Sequence, residues 1–293
     1  MPDKMPCKIY LFPSWHLDVR EAGKISAALD ELFGHSNKVL IGMEVPNVSI
    51  WHDAFYNLDA LPDDMIDGVA HLTEFPEWTR AALAMLSERK NSERERNKDM
   101  DIYSLDASAE KEVQKKLKKI EERLKGILNA LDAAATGEET LTLTIEWLRT
   151  VGARDRIRDK IMLMNVKRIA RYAGDSPVLI ITGATHTMYL ERALGKEGYD
   201  TTVIGQVPDH VKMMDEAASL ARSPNPDRER IAHLVQEYNR IELDLQRELI
   251  ENLRGDGSED IAQMGAIARI LMNMRRDEAP GPNTQRQRDR NQG

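Results

Sequence analysis

Residues Pro177–His186 read PVLIITGATH, an apolar run that ends at a glycine and is closely followed by a histidine. A short run rich in valine, isoleucine and leucine, bounded by proline and glycine, predicts a buried β-strand. Strands that alternate with helical periodicity indicate a mostly parallel sheet covered by helices on both faces. The sequence therefore predicts an α/β protein with three αβα layers. The other predicted strands are Lys8–Phe12, Lys38–Glu44, Asp101–Asp106 and Thr201–Val207.

Two long helices are predicted between the third and fourth strands. Over Glu110–Asp132, apolar residues recur alternately at four and three residues, which is the seam of a coiled coil. Thr136 and Glu139 form a T-x-x-E capping box that begins a second helix over roughly Gly137–Tyr172. We expect an antiparallel hairpin whose seam packs either on its own return arm or against a second subunit.

The pattern beyond Pro208 is helical only, with helices predicted over Asp209–Ala221, Asp227–Leu253 and Asp260–Met274. The last residues are almost devoid of apolar side chains, which predicts a disordered tail. These helices and the hairpin are the two surfaces through which a homodimer would form. The predicted organisation is a core domain over 1–207 with a hairpin insertion at about 107–173, a helical region over 208–276 and a disordered tail over 277–293.

Composition excludes several classes of protein. The chain has 41 basic and 49 acidic residues in 293, a net charge of −8, which disfavours a general nucleic-acid binder. No apolar run is long enough to span a membrane, and the lone Cys7 and the polar N-terminus favour a reducing, cytoplasmic location. The segment Ser87–Asp99 carries nine charges and no apolar residue, so we expect a solvated helix end or loop there.

Residues able to bind a metal or move a proton stand at the ends of four consecutive strands. In an open parallel sheet, ligands bind outside the carboxyl ends of the strands. Glu44 is the most telling of the four, because an unpaired carboxylate at a buried edge is costly. Asp106 has an alternative role as the N-cap of the hairpin helix. The four residues are His16, Glu44, Asp106 and His186, and His52 follows Glu44 in a loop that would reach them.

A second group of polar residues lies on the long helix before the fourth strand. Arg158, Met162 and Asn165 are spaced i, i+4, i+7 and therefore share a face. Arg154 and Arg158 would repel each other at i, i+4, so we expect one of them to point inward. Asp159 lies beside this face. The alternative to an inward-pointing arginine is an exposed helix on which the arginines form salt bridges to Asp155 and Asp159.

The order of these motifs resembles the superfamily that contains the erythromycin esterase-like, ChaN-like and TraB/TIKI proteins. The resemblance spans roughly residues 8–206 and is strongest in Arg158–Asn165 (RDKIMLMN) and Val178–His186 (VLIITGATH). It implies an αβα fold with a helical insertion and a site built from His16, Glu44, His186 and the Arg158/Asp159 helix. Members that look like this include esterases using histidine and glutamate on water, metal-dependent peptidases, and iron- or haem-associated proteins.

These residues predict a hydrolase of esterase or peptidase type, acting on a small-molecule or peptide substrate. In one version His16, Glu44 and His186, with Asp106 or water, hold a divalent zinc, manganese or iron ion that activates water. In a metal-free version, His186 or His16 is the general base and Glu44 orients it or activates the water. Asp159 is an alternative base, and Arg158 would stabilise an oxyanion or clamp a carboxylate or phosphate.

Two alternatives belong to other classes. The same histidines would serve a non-catalytic iron, haem or small-molecule binder, or the helices would dock partners in an interaction module with a decayed site. The sequence has no G-x-G-x-x-G, G-x-x-x-x-G-K-[ST], G-x-S-x-G or H-E-x-x-H motif. Nucleotide-dependent chemistry and a serine hydrolase are therefore disfavoured.

Overall fold

The computed structural model describes residues 7–14, 21–44, 77–106 and 111–254. Within them, five strands form one sheet in the order β3-β2-β4-β1-β5, and every pair of neighbours is parallel. The α/β prediction is confirmed. The strands are β1 (Ile9–Ser14), β2 (Lys38–Met43), β3 (Asp99–Ser104), β4 (Val178–Gly183) and β5 (Thr201–Val203).

Seven helices lie in the described part of the chain, and none of them is both long and apolar enough to cross a membrane. The hairpin helices begin and end within one residue of the predicted positions, and the helix Asp209–Ala221 has the predicted bounds. The predicted helix Asp260–Met274 and the predicted tail lie outside the described residues. The helices are α1 (Glu21–His35), α2 (Glu77–Glu95), α3 (Lys111–Ala133), α4 (Gly137–Ala173), α5 (Ala184–Lys196), α6 (Asp209–Ala221) and α7 (Arg228–Arg254).

The sheet buries both of its faces, because side chains alternate along each strand. Val39, Ile41 and Met43 of β2 point to the face covered by α1 and α2. Leu40 points to the opposite face, which is covered by α4 and α5. The near-continuous burial of the strands follows from helices packing on both sides, which is the usual state of a parallel sheet.

Gly42 brings α4 close to the sheet. A Cβ atom at this position would lie 2.7 Å from the Ile180 Cδ1 and Leu105 Cδ2 atoms and 3.1 Å from the Ile169 Cδ1 atom of α4. No side chain larger than hydrogen fits there without a shift of its neighbours. The glycine therefore sets how near α4 approaches β2 at Ile169, which is about one turn from Asn165 and about three turns from Arg158.

The backbone ladder continues past the carboxyl ends of the strands. The Glu44 amide donates to the Ile181 carbonyl at 2.9 Å, and the Leu105 amide donates to the Met43 carbonyl at 2.9 Å. These bonds fix the backbone of the residues that follow β2 and β3. Glu44 and Asp106 are thereby held at the same edge of the sheet as Gly183, the last residue of β4.

By compactness the chain divides into two units, one within Met1–Leu117 and Arg154–Lys212 and the other within Lys118–Ala153 and Met213–Gly293. The sequence-based boundary kept the whole hairpin with the core and separated it from the helices after residue 207. In the structure, the tip of the hairpin groups with the C-terminal helices. The reason is a shared core in which α4 residues Ile145 and Leu148 pack with Ala217 of α6 and Leu234 of α7.

The connection of the hairpin has the expected cap. The Glu139 amide donates to Thr136 Oγ1 at 3.2 Å, and Glu139 Oε2 accepts from the Ala135 amide at 3.1 Å. The second bond reaches one residue further back than in a standard capping box. Near the tip, Arg123 of α3 donates to Glu146 Oε1 of α4 at 2.9 Å, joining positions about equally far from the connection.

The prediction of a solvated Ser87–Asp99 segment is wrong in part. The segment does contain a helix end, because α2 ends at Glu95. However, Lys90 is only 5% exposed and Glu93 is fully buried. Charge density alone misled the prediction, since Glu93 is surrounded by basic side chains that make its burial tolerable.

Candidate functional site

Five of the predicted site residues meet at the carboxyl edge of the sheet in the first unit. Two of them follow β2 and β3, two come from consecutive positions of α4, and one lies in the first turn of α5. We call this group the strand-end cluster. Its members are Glu44, Asp106, Arg158, Asp159 and His186.

Arg158 lies at the centre of the cluster. Its Nη2 atom donates to Glu44 Oε1 at 2.6 Å and to Asp106 Oδ2 at 2.8 Å. Its Nε atom donates to Asp106 Oδ1 at 3.3 Å, so the grip on Asp106 is bidentate. Arg158 is therefore the inward-pointing arginine, whereas Arg154 binds the adjacent Asp155 at 2.9 Å.

His186 is buried and held from one side by Asp159. The His186 Nδ1 atom lies 2.7 Å from Asp159 Oδ1, and a carboxylate in that position accepts the Nδ1 proton. The opposite ring nitrogen, Nε2, is then the basic one. It lies 3.4 Å from Arg158 Nη1 and 3.8 Å from Glu44 Oε1. The ring therefore presents Nε2 to the centre of the cluster.

Glu44 connects the cluster to the beginning of α5. Its Oε2 atom accepts the Gly183 amide at 2.7 Å, while Oε1 accepts from Arg158. Gly183 is the N-cap of α5 and lacks a side-chain capping bond. A carboxylate beside the first amides of a helix interacts favourably with the helix dipole. Both oxygens of Glu44 thus have defined donors, which explains how a carboxylate that is only 5% exposed is tolerated.

Burial and mutual charge shift the pKa values of the cluster. Burial raises the pKa of Asp106, against the opposing effect of the Arg158 charge. Burial also raises the pKa of Asp159, although the hydrogen bond to His186 opposes this. Burial by itself lowers the pKa of His186, but the Asp159 hydrogen bond and the Glu44 charge raise it above its ordinary value.

The pKa of Arg158 is likewise raised, because Asp106 and Glu44 outweigh the effect of its burial. Arg158 is therefore charged at every pH of interest. With three carboxylates against one guanidinium and one imidazole, the cluster is acidic overall when its carboxylates are ionised. A base held among carboxylates in this way is typical of a site that moves protons.

Two further contacts fix the elements that carry the cluster, and sequence reasoning missed both. The buried Asn165 of α4 donates from Nδ2 to the Leu105 carbonyl at 2.8 Å, next to Asp106. The Thr182 and Thr187 hydroxyls lie 2.8 Å apart and tie the end of β4 to the first turn of α5. The i, i+7 spacing of Arg158 and Asn165 was the signal for the first contact, because both residues reach the segment that follows β3.

Not every predicted site residue can be placed. His16 and His52 lie outside the described residues. The described part of the hairpin helix begins at Lys111, and residues 107–110 lie outside the described residues, so the alternative role of Asp106 as the N-cap stays a prediction. Met162, which shares the Arg158 face, is fully buried in the core between α4 and the sheet.

The described ligand candidates do not fit a metal ion in this arrangement. Arg158 lies between Glu44 and Asp106, so a guanidinium cation stands where a metal bridging the two carboxylates would bind. Within the described residues, no group of three or more His, Cys, Asp or Glu side chains is placed to hold a metal. The metal site built on His16, Glu44, Asp106 and His186 stays a prediction.

Comparisons with protein-family models, with curated proteins and with solved structures find no match. The resemblance to the erythromycin esterase-like, ChaN-like and TraB/TIKI superfamily therefore stays a prediction. The functional argument rests on the geometry of the strand-end cluster.

Proposed function

We propose that the chain is a hydrolase in which His186 activates water at the strand-end cluster without a metal ion. The observation that carries this proposal is the 2.7 Å contact between Asp159 and His186 Nδ1, which leaves Nε2 as the base. A histidine oriented by a carboxylate is a recurrent arrangement in general acid-base catalysis. The substrate class is an ester or amide of a small molecule or peptide.

The reaction would begin when a water molecule displaces the long contact between Arg158 Nη1 and His186 Nε2, which spans 3.4 Å. Nε2 removes a proton from this water while the water oxygen bonds to the acyl carbon. Glu44 Oε1, 3.8 Å from Nε2, accepts a hydrogen bond from the other O–H group of the water and so aligns it, and this second hydrogen stays on the oxygen. The protonated imidazole then gives its proton to the leaving alcohol or amine as the acyl bond breaks.

The number of N–H groups that Arg158 has left decides between its two predicted roles, oxyanion stabilisation and a clamp on a carboxylate or phosphate. A guanidinium has five N–H groups, and the contacts to Glu44, Asp106 and His186 engage four of them. The fifth belongs to Nη1, which lies beside the proposed base. The N–H group released from His186 donates to the attacking water, so one N–H group is left; it suits the single oxygen of a developing oxyanion, whereas a bidentate clamp on carboxylate or phosphate needs two parallel N–H groups. Of the two predicted roles, we therefore propose that Arg158 stabilises the oxyanion.

Hydrolysis assays on the full chain test the proposal. We expect turnover of at least one member of a panel of chromogenic acyl esters and peptides, undiminished after dialysis against EDTA. His186→Ala should lower kcat/KM by about 10²-fold or more. The matched control is His35→Ala, because His35 is an exposed histidine at the end of α1. It should stay within twofold of the wild type.

Two results would contradict this proposal in different ways. Activity that EDTA removes and a divalent metal restores would establish the metal-assisted version of the reaction. A wild-type chain that hydrolyses no member of the panel, although folded, would reject the hydrolase itself.

A further inference from the structure

The second unit contains a cavity of about 660 Å³ that has no part in the proposed hydrolysis. Sites for small molecules usually measure about 300–1,000 Å³. Its walls come from α3, α4, the first residue of α7 and the connection that precedes it. All of these lie within Lys118–Ala153 and Met213–Gly293.

The cavity is lined by more positive than negative charge. Arg123, Arg149 and Arg228 contribute three guanidinium groups, and Glu146 contributes one carboxylate, a formal balance of 3 − 1 = +2. The whole chain carries −8. A positive concavity on an otherwise acidic protein attracts anions selectively.

Arg149 is held in place by groups that carry no net charge. Its Nε atom donates to the Ala221 carbonyl at 2.5 Å and its Nη2 atom donates to the Ser223 carbonyl at 3.0 Å. These bonds orient the guanidinium at the end of α6 without neutralising it by a carboxylate. The two N–H groups of Nη1 are not part of either bond. Arg149 is thus a pre-oriented cation in the wall of the cavity.

The other two arginines are in exposed ion pairs that are inexpensive to rearrange. Arg123 pairs with Glu146 at 2.9 Å, and their side chains are 63% and 42% exposed. Arg228 pairs with Glu138 at 2.6 Å, and their side chains are 38% and 78% exposed. Exposed pairs of this kind contribute little to stability. An anionic ligand can therefore contact both guanidinium groups at a small energetic cost.

Besides Thr142 and Thr150, the remaining walls are apolar, and part of them is stiff. Ile120 and Ile145 line one part of the cavity, and Pro224 and Pro226 line another. The proline rings fix the backbone φ angle and offer no amide donor. A ligand that carries an apolar group next to its charge would bury that group here, whereas a bare inorganic ion would not use this surface.

We propose that this cavity binds a small organic anion in which a phosphate or carboxylate group is joined to an apolar body. The anionic group lies among the three arginines, and the apolar body lies against the isoleucines and prolines. The inference does not rest on the proposed hydrolase, because none of these residues belongs to the strand-end cluster.

Calorimetric titration of the full chain with four probes tests the composition of the ligand. Phenyl phosphate, benzoate, inorganic phosphate and benzyl alcohol separate the phosphate, the carboxylate, the bare ion and the uncharged body. We expect saturable one-to-one binding of phenyl phosphate or benzoate, with inorganic phosphate at least fivefold weaker and no saturation by benzyl alcohol. The stronger of the two aromatic anions identifies the charged group. Failure of both to bind would overturn the proposal.

Variants locate the binding. Arg123→Gln and Arg149→Gln should each weaken the preferred anion at least tenfold. The matched control is Arg240→Gln, because Arg240 of α7 pairs with Glu237 and is not among the cavity residues. It should bind within twofold of the wild type. Arg149→Gln also removes contacts to the end of α6, so Arg123→Gln decides the outcome if that variant does not fold. Unchanged binding by Arg123→Gln would place the anion elsewhere and overturn the proposal.

Discussion

In the described part of the first unit, two buried ionic clusters differ in composition and in place. The strand-end cluster has three carboxylates around Arg158 and His186 at the carboxyl edge of the sheet. The second, which we call the Glu93 cluster, has one carboxylate contacted by Arg89 at 2.8 Å, Arg96 at 3.2 Å and Lys98 at 3.9 Å. It lies where α2 ends and β3 begins.

The Glu93 cluster has the features of a structural cluster that holds α1, the end of α2 and the start of β3 together. Its single carboxylate is outnumbered by bases, and the Lys98 amide and Arg96 amide both donate to the Glu93 carbonyl. Lys98 Nζ also donates to the Phe33 carbonyl at 2.7 Å, which connects α1 to the same point. The strand-end cluster has an excess of carboxylates and a histidine. Burial of charge is common to both clusters, but only the strand-end cluster combines a histidine with an excess of carboxylates, the combination that supports proton transfer.

The largest effect should follow Glu44→Gln in the strand-end cluster. Glutamine supplies one acceptor where Glu44 supplies two, so its amide nitrogen would face a donor, either Gly183 N–H or Arg158. We expect kcat/KM to fall by about 10²-fold or more. We also expect the free energy of unfolding to fall by about 1–3 kcal/mol, because a buried donor loses its acceptor. Kinetics on a panel substrate and urea titration measure the two changes, and full activity would remove Glu44 from the site.

Asp159→Asn should change the pH dependence as well as the rate. The hydrogen bond to Asp159 is among the causes that hold the pKa of His186 above its ordinary value, so its loss should lower that pKa. Because the base must be neutral, the acidic limb of the kcat/KM profile should move to lower pH in the variant. The maximum of kcat/KM should fall by about 10²-fold, at the low end of what a general acid-base group contributes, since the imidazolium loses its carboxylate.

A profile of kcat/KM from acid to alkaline pH checks this prediction. Asp155→Asn is the matched control, because Asp155 binds Arg154 on the same helix, whereas His186 Nδ1 is bound by Asp159. Its profile should coincide with that of the wild type. An acidic limb that moves upward in Asp159→Asn would show that another group is the titrating base.

Periodicity and strand ends predict much of this fold, because they reflect local geometry. The apolar runs and their bounding residues predicted the strands, and the rule for parallel sheets predicted that Glu44, Asp106 and His186 would lie at one edge. The order of the strands within the sheet depends on packing between distant segments, which one sequence does not specify. The same holds for the choice of Glu44 and Asp106, rather than Asp155, as partners of Arg158.

The burial of Glu93 and the packing partners of the hairpin could not be predicted from the sequence, for related physical reasons. Glu93 is buried because bases from α2 and the following turn surround it, and no local pattern records that arrangement. The apolar seam over Glu110–Asp132 predicted packing on the return arm or on a second subunit, and nothing in the sequence predicted that Ile145 of α4 would pack with α6 and α7. A row of apolar residues along one face of a helix indicates that this face is buried, but it does not identify the element that packs against it.

Arg158→Lys should reduce activity less than the changes to Glu44 and Asp159. Lysine keeps the positive charge between Glu44 and Asp106 but cannot hold one carboxylate with two parallel bonds. We expect kcat/KM to fall by about tenfold while KM changes little, because an oxyanion contact acts mainly in the transition state. The matched control is Arg154→Lys, because Arg154 lies on the same helix and binds its neighbour Asp155. A rise in KM alone would favour a substrate clamp instead.

The smallest effect on activity should follow Glu93→Gln, which directly contrasts the two clusters. The bases around Glu93 differ in exposure, from 16% for Arg89 to 61% for Arg96, so water compensates part of the lost charge. We expect the free energy of unfolding to fall by about 1–3 kcal/mol, less than for an entirely buried pair. The exposed partner gives the control, because Arg96→Gln should cost less than about 0.5 kcal/mol. Urea titration at constant m-value measures the loss of stability, and kcat/KM per folded molecule should be unchanged in both variants. That result would establish the Glu93 cluster as structural. A loss of activity would show instead that the two ends of the sheet are coupled.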